Sequence, residues 1–431
     1  MSFPRYGKYK DTGVEWLGEV PAHWHVCPVG TIAHIVNGYP FDSERFSTTE
    51  GYPLVRIRDL NQAVTDTKYK GSFVESAAIT SSDVLIGMDG DFNVGRWLGS
   101  EKALLNQRMC CVRAQSDLLT RLLEHTLPIP LRAINDLTYA TTVKHLSSSQ
   151  IEKTRVALPK DLDEQSCLLF FLDHETAKID ALIEEQQRLI ELLKEKRQAV
   201  ISHAVTKGLK TGTPLTDSGI EWLGATPEHW RKLRIGAMFR EVNEAGVDGL
   251  PILSVSIHHG VSDKQLDDEE MDRTVVRSDD QTKYKRVCSG DLVYNMMRAW
   301  QGGFGTVNVE GMVSPAYVVG RPSDGYLSRF VEFILRTPCA VEEMRRYSQG
   351  VTDFRLRLYW DKFKCIQLSI PPLSEQEDIL SYIETKTAEF DRLTEASEQA
   401  IAILHERRTA LISAAVTGKI DVRNYSPKEV A

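Results

Sequence analysis

The chain has no run of eighteen apolar residues, and its opening string, MSFPRYGKYK, has no apolar core of the kind that addresses a protein for export. Those two absences predict a soluble protein with neither a membrane span nor a secretory signal. Seven cysteines (27, 110, 111, 167, 288, 339 and 365) show no C-x-x-C spacing and no framework pattern, which argues for a reduced, cytoplasmic setting. There is no G-x-x-x-x-G-K-[ST] loop. The nearest string, Thr417-Gly418-Lys419, lacks the upstream glycine and ends a helical stretch, so NTP hydrolysis has no support. No glycine-rich strand-to-helix turn fits a dinucleotide or S-adenosylmethionine, and the Asn-Pro-Pro-aromatic string of amino-methyltransferases is missing. Pro371-Pro372 reads more economically as the turn before a helix. Histidines 258 and 259 adjoin a strand but lack further ligands at a fixed spacing. Glu384-x-Lys386 lies inside a helical stretch without a paired strand carboxylate and reads as a charged face. Neither a catalytic residue nor a metal site is expected.

Positive charge is also scarce overall. The formal net charge is −8 and the isoelectric point about 5.8, which taken alone argues against nucleic-acid binding. The distribution matters more than the sum. Acids crowd the helical stretches (Asp161, Asp163, Glu164, Asp173, Glu175, and again Glu375, Glu377, Asp378, Glu384), while bases cluster between them, at Lys283, Lys285 and Arg286, at Arg345 and Arg346, and at Arg355 and Arg357.

What is abundant is repetition. EQSCLLFFLDHETAKIDAL, from Glu164, returns as EQEDILSYIETKTAEFDRL, from Glu375, and EKRQAVISHAVT, from Glu195, as ERRTALISAAVT, from Glu406. Between Glu164 and Val205 the residues Leu172, Ile179, Leu189, Leu193 and Val200 recur at helical spacing with charges on the other faces, which predicts a long helix with a coiled-coil seam and polar seam positions at Glu175 and Gln186. A second string, DTGVEWLGEVPAHW (Asp11 to Trp24), returns as DSGIEWLGATPEHW (Asp217 to Trp230). Two different repeats in the same order are a duplication. The chain therefore reads as block, domain, helix, block, domain, helix.

The segments between block and helix look mixed. Strand-like runs are PLVRIRDL (53–60), DVLIGMDG (83–90), MCCVRAQ (109–115) and RVALP (155–159), then PILSVSI (251–257), GDLVYNMM (290–297), MVSPAYVVG (312–320) and IQLSIP (366–371). Helical runs are 116–127, stopped by Pro128, and 329–347. In the second domain VYNMMRAWQGGFG (293–305) offers Asn295, Arg298 and Gln301 as groups that read base edges or hold phosphates, Trp300 to stack, and glycines that let a backbone approach a partner. The alternative is a strand leading into a glycine turn with a core tryptophan. Its counterpart, 89–97, offers Asp91, Asn93 and Arg96 with Gly90 and Gly95, and there the alternative is a polar turn. Downstream, Lys144 and His145 correspond roughly to Arg355 and Arg357, which equally well serve as solvated surface.

Together EWLGxxPxHW at the head of each half, the strings DGDFN, NMMRAWQG and VKHLSSSQI, and the IPPLSEQ-type entry into TA-x-x-D-x-L helices resemble the specificity subunit of type I restriction-modification systems. The resemblance implies an α+β fold with two mixed α/β target-recognition domains, separated by two long antiparallel coiled-coil helices, and an internal pseudo-two-fold repeat. The segments would be 1–159 (block and first recognition domain), 160–210 (central helix), 211–372 (second block and domain), 373–420 (C-terminal helix) and 421–431 (tail). It also implies a non-catalytic reader of double-stranded DNA that joins two modification subunits and the restriction subunits in the cytoplasm. S-adenosylmethionine, ATP and magnesium would serve on those partners, with no cofactor in this chain. The seam residues would be Leu172, Ile179, Leu193 and Val200 on one helix and Ile383, Phe390, Leu404 and Leu411 on the other.

Overall fold

The computed structural model describes residues 3–137, 144–257, 260–262, 283–350 and 356–426. The chain forms two compact units, Met1–Gln186 with Gln399–Ala431, and Gln187–Glu398. Each long helix is shared between them.

In unit 1 the frame is β1 (His25–Pro28), β2 (Ala33–Asn37), β3 (Val84–Gly87), β4 (Val94–Arg96) and β5 (Met109–Ala114), then α1 (Asp117–Thr126), α2 (Pro128–Leu137), α3 (Ser148–Lys153), β6 (Arg155–Leu158) and α4 (Leu162–Lys207). Antiparallel pairing gives the order β4-β3-β5-β2, with Cys111 opposite both Leu85 and Val36. Successive side chains of a strand point to opposite faces, and the core divides accordingly. Val84, Ile86, Cys110 and Val112 pack with α1, α2 and the long helices, while Leu85, Met109 and Cys111 pack with Trp97 and with Val55 and Leu105 of a second sheet. Pro128 does more than stop α1. It opens α2, because a proline has no N–H to lose in a first helical turn and its φ suits one.

Unit 2 repeats the frame as β7 (Arg231–Arg234), β8 (Phe239–Glu241), β9 (Leu292–Asn295), β10 (Phe304–Thr306), β11 (Tyr317–Pro322), α5 (Ser328–Leu335), α6 (Pro338–Tyr347), α7 (Trp360–Phe363), β12 (Gln367–Ile370) and α8 (Leu373–Val416). The order β10-β9-β11-β8 matches that of unit 1, and Leu292 and Tyr294 face one core cluster while Val293 faces the other. The expected helix over 329–347 is two helices. Thr337 caps the second by accepting from the Ala340 N–H, and Pro338 interrupts the ladder. The run 312–320 likewise splits into Gly311–Val313 and β11.

The long helices begin with acids in their first turns, Asp163 and Glu164 in α4 and Glu375 in α8, which suit the positive end of the helix dipole. They are followed by left-handed glycines, Gly208 at φ +76° and Gly418 at φ +69°. Along α4 the heptad seam runs through Leu172, Thr176, Ile179, Ile183, Gln186, Ile190, Leu193 and Val200, all buried or half-buried, with Thr176 rather than the expected Glu175 at the step of four from Leu172. Leu189 does not join it. It is 42% exposed, and Ile190 takes the inward position, since steps of four and three from Ile183 reach 190 rather than 189. On α8 the same spacing runs through Ile383, Thr387, Phe390, Thr394, Ser397, Ile401, Leu404 and Leu411, again buried or half-buried.

Pairing is antiparallel within each unit. In unit 1 the first half of α4 meets the last part of α8, with Leu172 and Leu411 in one cluster and Arg408 bonded to Asp180 at 2.9 Å. In unit 2 the last part of α4 meets the first half of α8, with Ile201 beside Ile383 in one cluster and Arg197 at 3.2 Å from Asp391. Glu175 accepts from the Tyr425 hydroxyl at 2.6 Å, and residues 421–425 lie against the N-terminal segment of the same unit, with the Asp421 N–H donating to the Pro4 carbonyl at 2.8 Å. All seven cysteines are free thiols. Among the described residues, no helix is long and apolar enough to cross a membrane and no cluster of acids, histidines and cysteines suits a metal.

Candidate functional site

The repeated strings build a clasp. In unit 1 the Trp24 indole N–H donates to Glu164 Oε1 at 2.9 Å, and His23 Nε2 lies 2.8 Å from Oε2. In unit 2 Trp230 and His229 meet Glu375 at 3.2 and 2.7 Å. The next residue locks the same junction. Gln165 donates to the Pro159 carbonyl at 2.8 Å and Gln376 to the Pro371 carbonyl at 3.0 Å. Strand β1 pairs with β6, and β7 with β12, immediately before each long helix. Each mixed domain is thus closed onto the start of a long helix by its own block.

A second repeated pair stiffens each central sheet. Arg113 on β5 donates to Asp83 at 2.6 and 2.8 Å, and Arg321 on β11 donates to Asp291 at 2.9 Å twice. Burial pushes the Asp83 carboxyl up, but hydrogen bonds from Arg113 and from the backbone and hydroxyl of Thr80, with the guanidinium charge, outweigh it and hold the group below its ordinary value. The Arg321 guanidinium is raised, chiefly by its bonds to Asp291 and Glu244.

Beyond the central strand of each sheet lies the loop that carries the sequence candidates. In unit 1 the loop after β3 meets the segment before α3. The Leu146 N–H donates to the Met88 carbonyl at 2.7 Å, Asp89 pairs with His145 as a bridge, and the His145 ring lies 2.7 Å from Asp89 Oδ1. Arg108 reaches the other Asp89 oxygen at 3.0 Å. In unit 2 the Leu358 N–H donates to the Met296 carbonyl at 2.9 Å, and Arg357 exchanges two 2.9 Å backbone bonds with Gln349. His145 and Arg357 therefore occupy matching places.

The sequence candidates divide by environment. Asn93, His145, Gln301 and Arg357 are exposed, and Arg298 and Trp300 are half-buried. Arg96 is held at 3.0 Å by Glu124 of α1, so its charge is satisfied inside the unit. Lys144 donates to the carbonyl and side-chain oxygen of Asn135 at 2.6 and 3.0 Å. Asn295 is 2% exposed, and its Oδ1 accepts from the Met297 N–H, which shapes the turn. The Trp300 indole N–H donates to the Met297 carbonyl at 3.0 Å, and the Arg345 guanidinium lies over the ring at 5.8 Å. Arg355, and the histidine pair 258–259, lie outside the described residues.

Two of the glycines approach this chain itself. A Cβ on Gly95 would stand 2.6 Å from the Asn61 amide, and one on Gly305 would stand 2.4 Å from the Val261 nitrogen. Phe92, 2% exposed, adopts φ +52°, a conformation that costs an aromatic side chain on the order of 1–3 kcal/mol and holds Asp91 and Asn93 outward. A groove of about 480 Å³ runs beside them, lined by Asp91, Asn93, Arg132, Asn135 and Asp136. Asn135 and Arg132 are not among the residues that stand out in the sequence. A helix that begins at a proline and carries Asn135 and Asp136 in its last turn was the available signal.

The chain as a whole is similar to known proteins. Residues 21–193 match the family described as "Type I restriction modification DNA specificity domain". The chain is 29% identical to the type I restriction enzyme EcoBI specificity subunit of Escherichia coli over 429 residues, covering 95% of this chain and 89% of that one. It is 21% identical to the EcoKI specificity subunit of Escherichia coli strain K12, covering 94% and 90%. Among solved structures, a chain from "Structural basis underlying complex assembly and conformational transition of the type I R-M system" aligns with TM-score 0.58 at 15% identity, covering 92% of this chain and 98% of that one, which supports the fold.

Proposed function

We propose that this chain, which belongs to the specificity subunits of type I restriction-modification systems, reads double-stranded DNA as an asymmetric bipartite site, one half by each mixed domain. The observation that carries the division is the pairing of a repeated frame with unlike loops. The sheet order, the Trp-to-Glu clasp and the Arg-to-Asp pair recur in both units. The loop after the central strand and the segment that meets it do not, since together they present Asp91, Asn93 and His145 in one unit and Arg298, Trp300, Gln301 and Arg357 in the other. Different side chains on one frame read different bases, and phosphate contacts fix register without carrying sequence.

The chain acts without an active site of its own. Methylation of adenine with S-adenosylmethionine, and ATP- and magnesium-dependent translocation and cleavage, are assigned to two modification subunits and to restriction subunits in the cytoplasm. The long helices serve as a ruler that sets the unread spacer and as docking surface for the modification subunits. At about 1.5 Å per residue, helices of 46 and 44 residues are roughly 65–70 Å long. With a net charge of −8, DNA affinity relies on assembly with those partners.

The test is to replace residues 25–155 with the corresponding segment of another specificity subunit and map adenine methylation across a genome. A change in one half of the site, with the other half retained, is the expected result. An unchanged site would favour a scaffold over a reader, and a single contiguous site would contradict the two-domain reading.

A further inference from the structure

In each unit the last turn of the second helix braces the candidate loop, and it does so from the same helical position. Asn135 is the eighth residue of α2, counted from Pro128, and Arg345 is the eighth residue of α6, counted from Pro338. Resting on the DNA-reading role proposed above, we propose that Asn135 and Arg345 are positioning residues that set the conformation of the base-reading loop, each for its own half of the site.

The contacts in unit 1 close a ring. Asn135 Nδ2 donates to the Gly90 carbonyl, the Gly90 N–H donates to the Lys144 carbonyl at 3.1 Å, and Lys144 Nζ returns to the Asn135 carbonyl and Oδ1 at 2.6 and 3.0 Å. Asn135 is 9% exposed, so it reaches a partner molecule poorly but reaches the loop fully. The ring fixes Gly90 at φ +78°, two residues before the left-handed Phe92, and so fixes the direction in which Asp91 and Asn93 leave the surface. The Lys144 ammonium also sits at the C-terminal end of α2, where a cation is favoured.

Unit 2 achieves the bracing by other chemistry. The Arg345 guanidinium covers the Trp300 ring, whose N–H is tied to the Met297 carbonyl, and the turn ends in Gly302 at φ +88°. The segment before α7 holds the same turn through the Leu358 N–H on the Met296 carbonyl. One position, a polar clasp in one domain and a cation over an aromatic face in the other, therefore supports two loops of different shape. Such a position changes base preference without touching a base.

The experiment uses the full chain assembled with its modification subunits. Methylation rates are measured on duplexes in which each base pair of each half is changed singly. Asn135→Ala is expected to lower discrimination at least tenfold in the half read by the first domain and to leave the other half unchanged. Arg345→Ala is expected to do the converse, and Arg345→Lys, which keeps a cation over Trp300, to restore most of the loss. Asn135→Asp keeps an acceptor for Lys144 and sets a charged acceptor in place of the donor to Gly90. It is expected to lose discrimination in the same half, and it is read where Asn135→Ala does not fold. Equal losses in both halves, or no loss, would overturn the positioning role. If the 25–155 exchange alters the site and Asn135→Ala does not, positioning falls and DNA reading stands. If the exchange alters nothing, both fall.

Discussion

Arg408 donates to Asp180 at 2.9 Å, and Arg197, its counterpart in the other copy of the repeat, meets Asp391, the counterpart of Asp180, at 3.2 Å. The same ion pair is made twice with the roles of the two helices exchanged. A duplicated sequence that folds back antiparallel on its own copy produces this reciprocity, as an isologous contact does between two subunits.

Both partners of the Asp180 pair are well exposed, at 48% and 38%, so each pair contributes modestly to stability. A double-mutant cycle with Asp180→Ala and Arg408→Ala is expected to give a coupling of about 0.2–1 kcal/mol that shrinks at high salt. Exchanging the two residues should recover most of it. Urea unfolding at low and high ionic strength measures both quantities.

The Trp24 clasp carries more. Glu164 is 4% exposed, and Glu164→Ala would strand a buried indole N–H, a loss of about 1–3 kcal/mol. Glu375→Ala should cost less, because the Glu375 side chain is 24% exposed and its bond to Trp230 is longer, at 3.2 Å. Thermal unfolding of the two variants side by side checks the order.

Acid should weaken unit 1 through Asp83. Its folded-state pKa lies below the unfolded value, so the stability it contributes is present above the unfolded pKa and is lost as pH falls through the folded one. With an unfolded pKa of about 3.9, that loss sets in below roughly pH 4. Asp83→Asn should flatten this acid limb in an unfolding series taken from neutral pH downward. Arg113→Ala is expected to cost about 2 kcal/mol at neutral pH. That is less than the roughly 3–5 kcal/mol of a fully buried pair, since the Arg113 side chain is 41% exposed and solvent screens it.

Removing one heptad from each long helix keeps the seam in phase and shortens it by roughly 10 Å. At about 3.4 Å per base pair the unread spacer should shorten by up to about three base pairs. Methylation mapping of the shortened assembly reads the result, and an unchanged spacer would remove the ruler role.

Much of the frame was legible because it rests on local periodicity. The heptad from Leu172 to Leu193 follows from spacing alone, and the two misread positions, Glu175 and Leu189, are residues beside the seam that a pattern of types does not separate from Thr176 and Ile190. The two EWLG blocks declared a duplication, but their purpose was hidden. Trp24 meets its acceptor 140 residues away, and no local pattern encodes such a meeting. The loops were least legible. Asn295 and Arg96 have the side chains of base readers, yet one amide is spent within its own turn and one guanidinium on Glu124. Only the fold shows which polar groups are already satisfied. Asn135 offered little by type, and its weight comes from what surrounds it.

The division of the units also has an order in time. Unit 2 is one uninterrupted stretch, Gln187–Glu398, whereas unit 1 joins Met1–Gln186 to Gln399–Ala431. On the ribosome Trp24, Leu168 and Phe171 emerge early, but Leu411, Ala415 and Val422, which share their cluster, follow the whole of unit 2. The first domain is begun first and closed last. A chain cut short before residue 411 would leave that domain open along its helix-facing side, even though every residue of its sheets had been made.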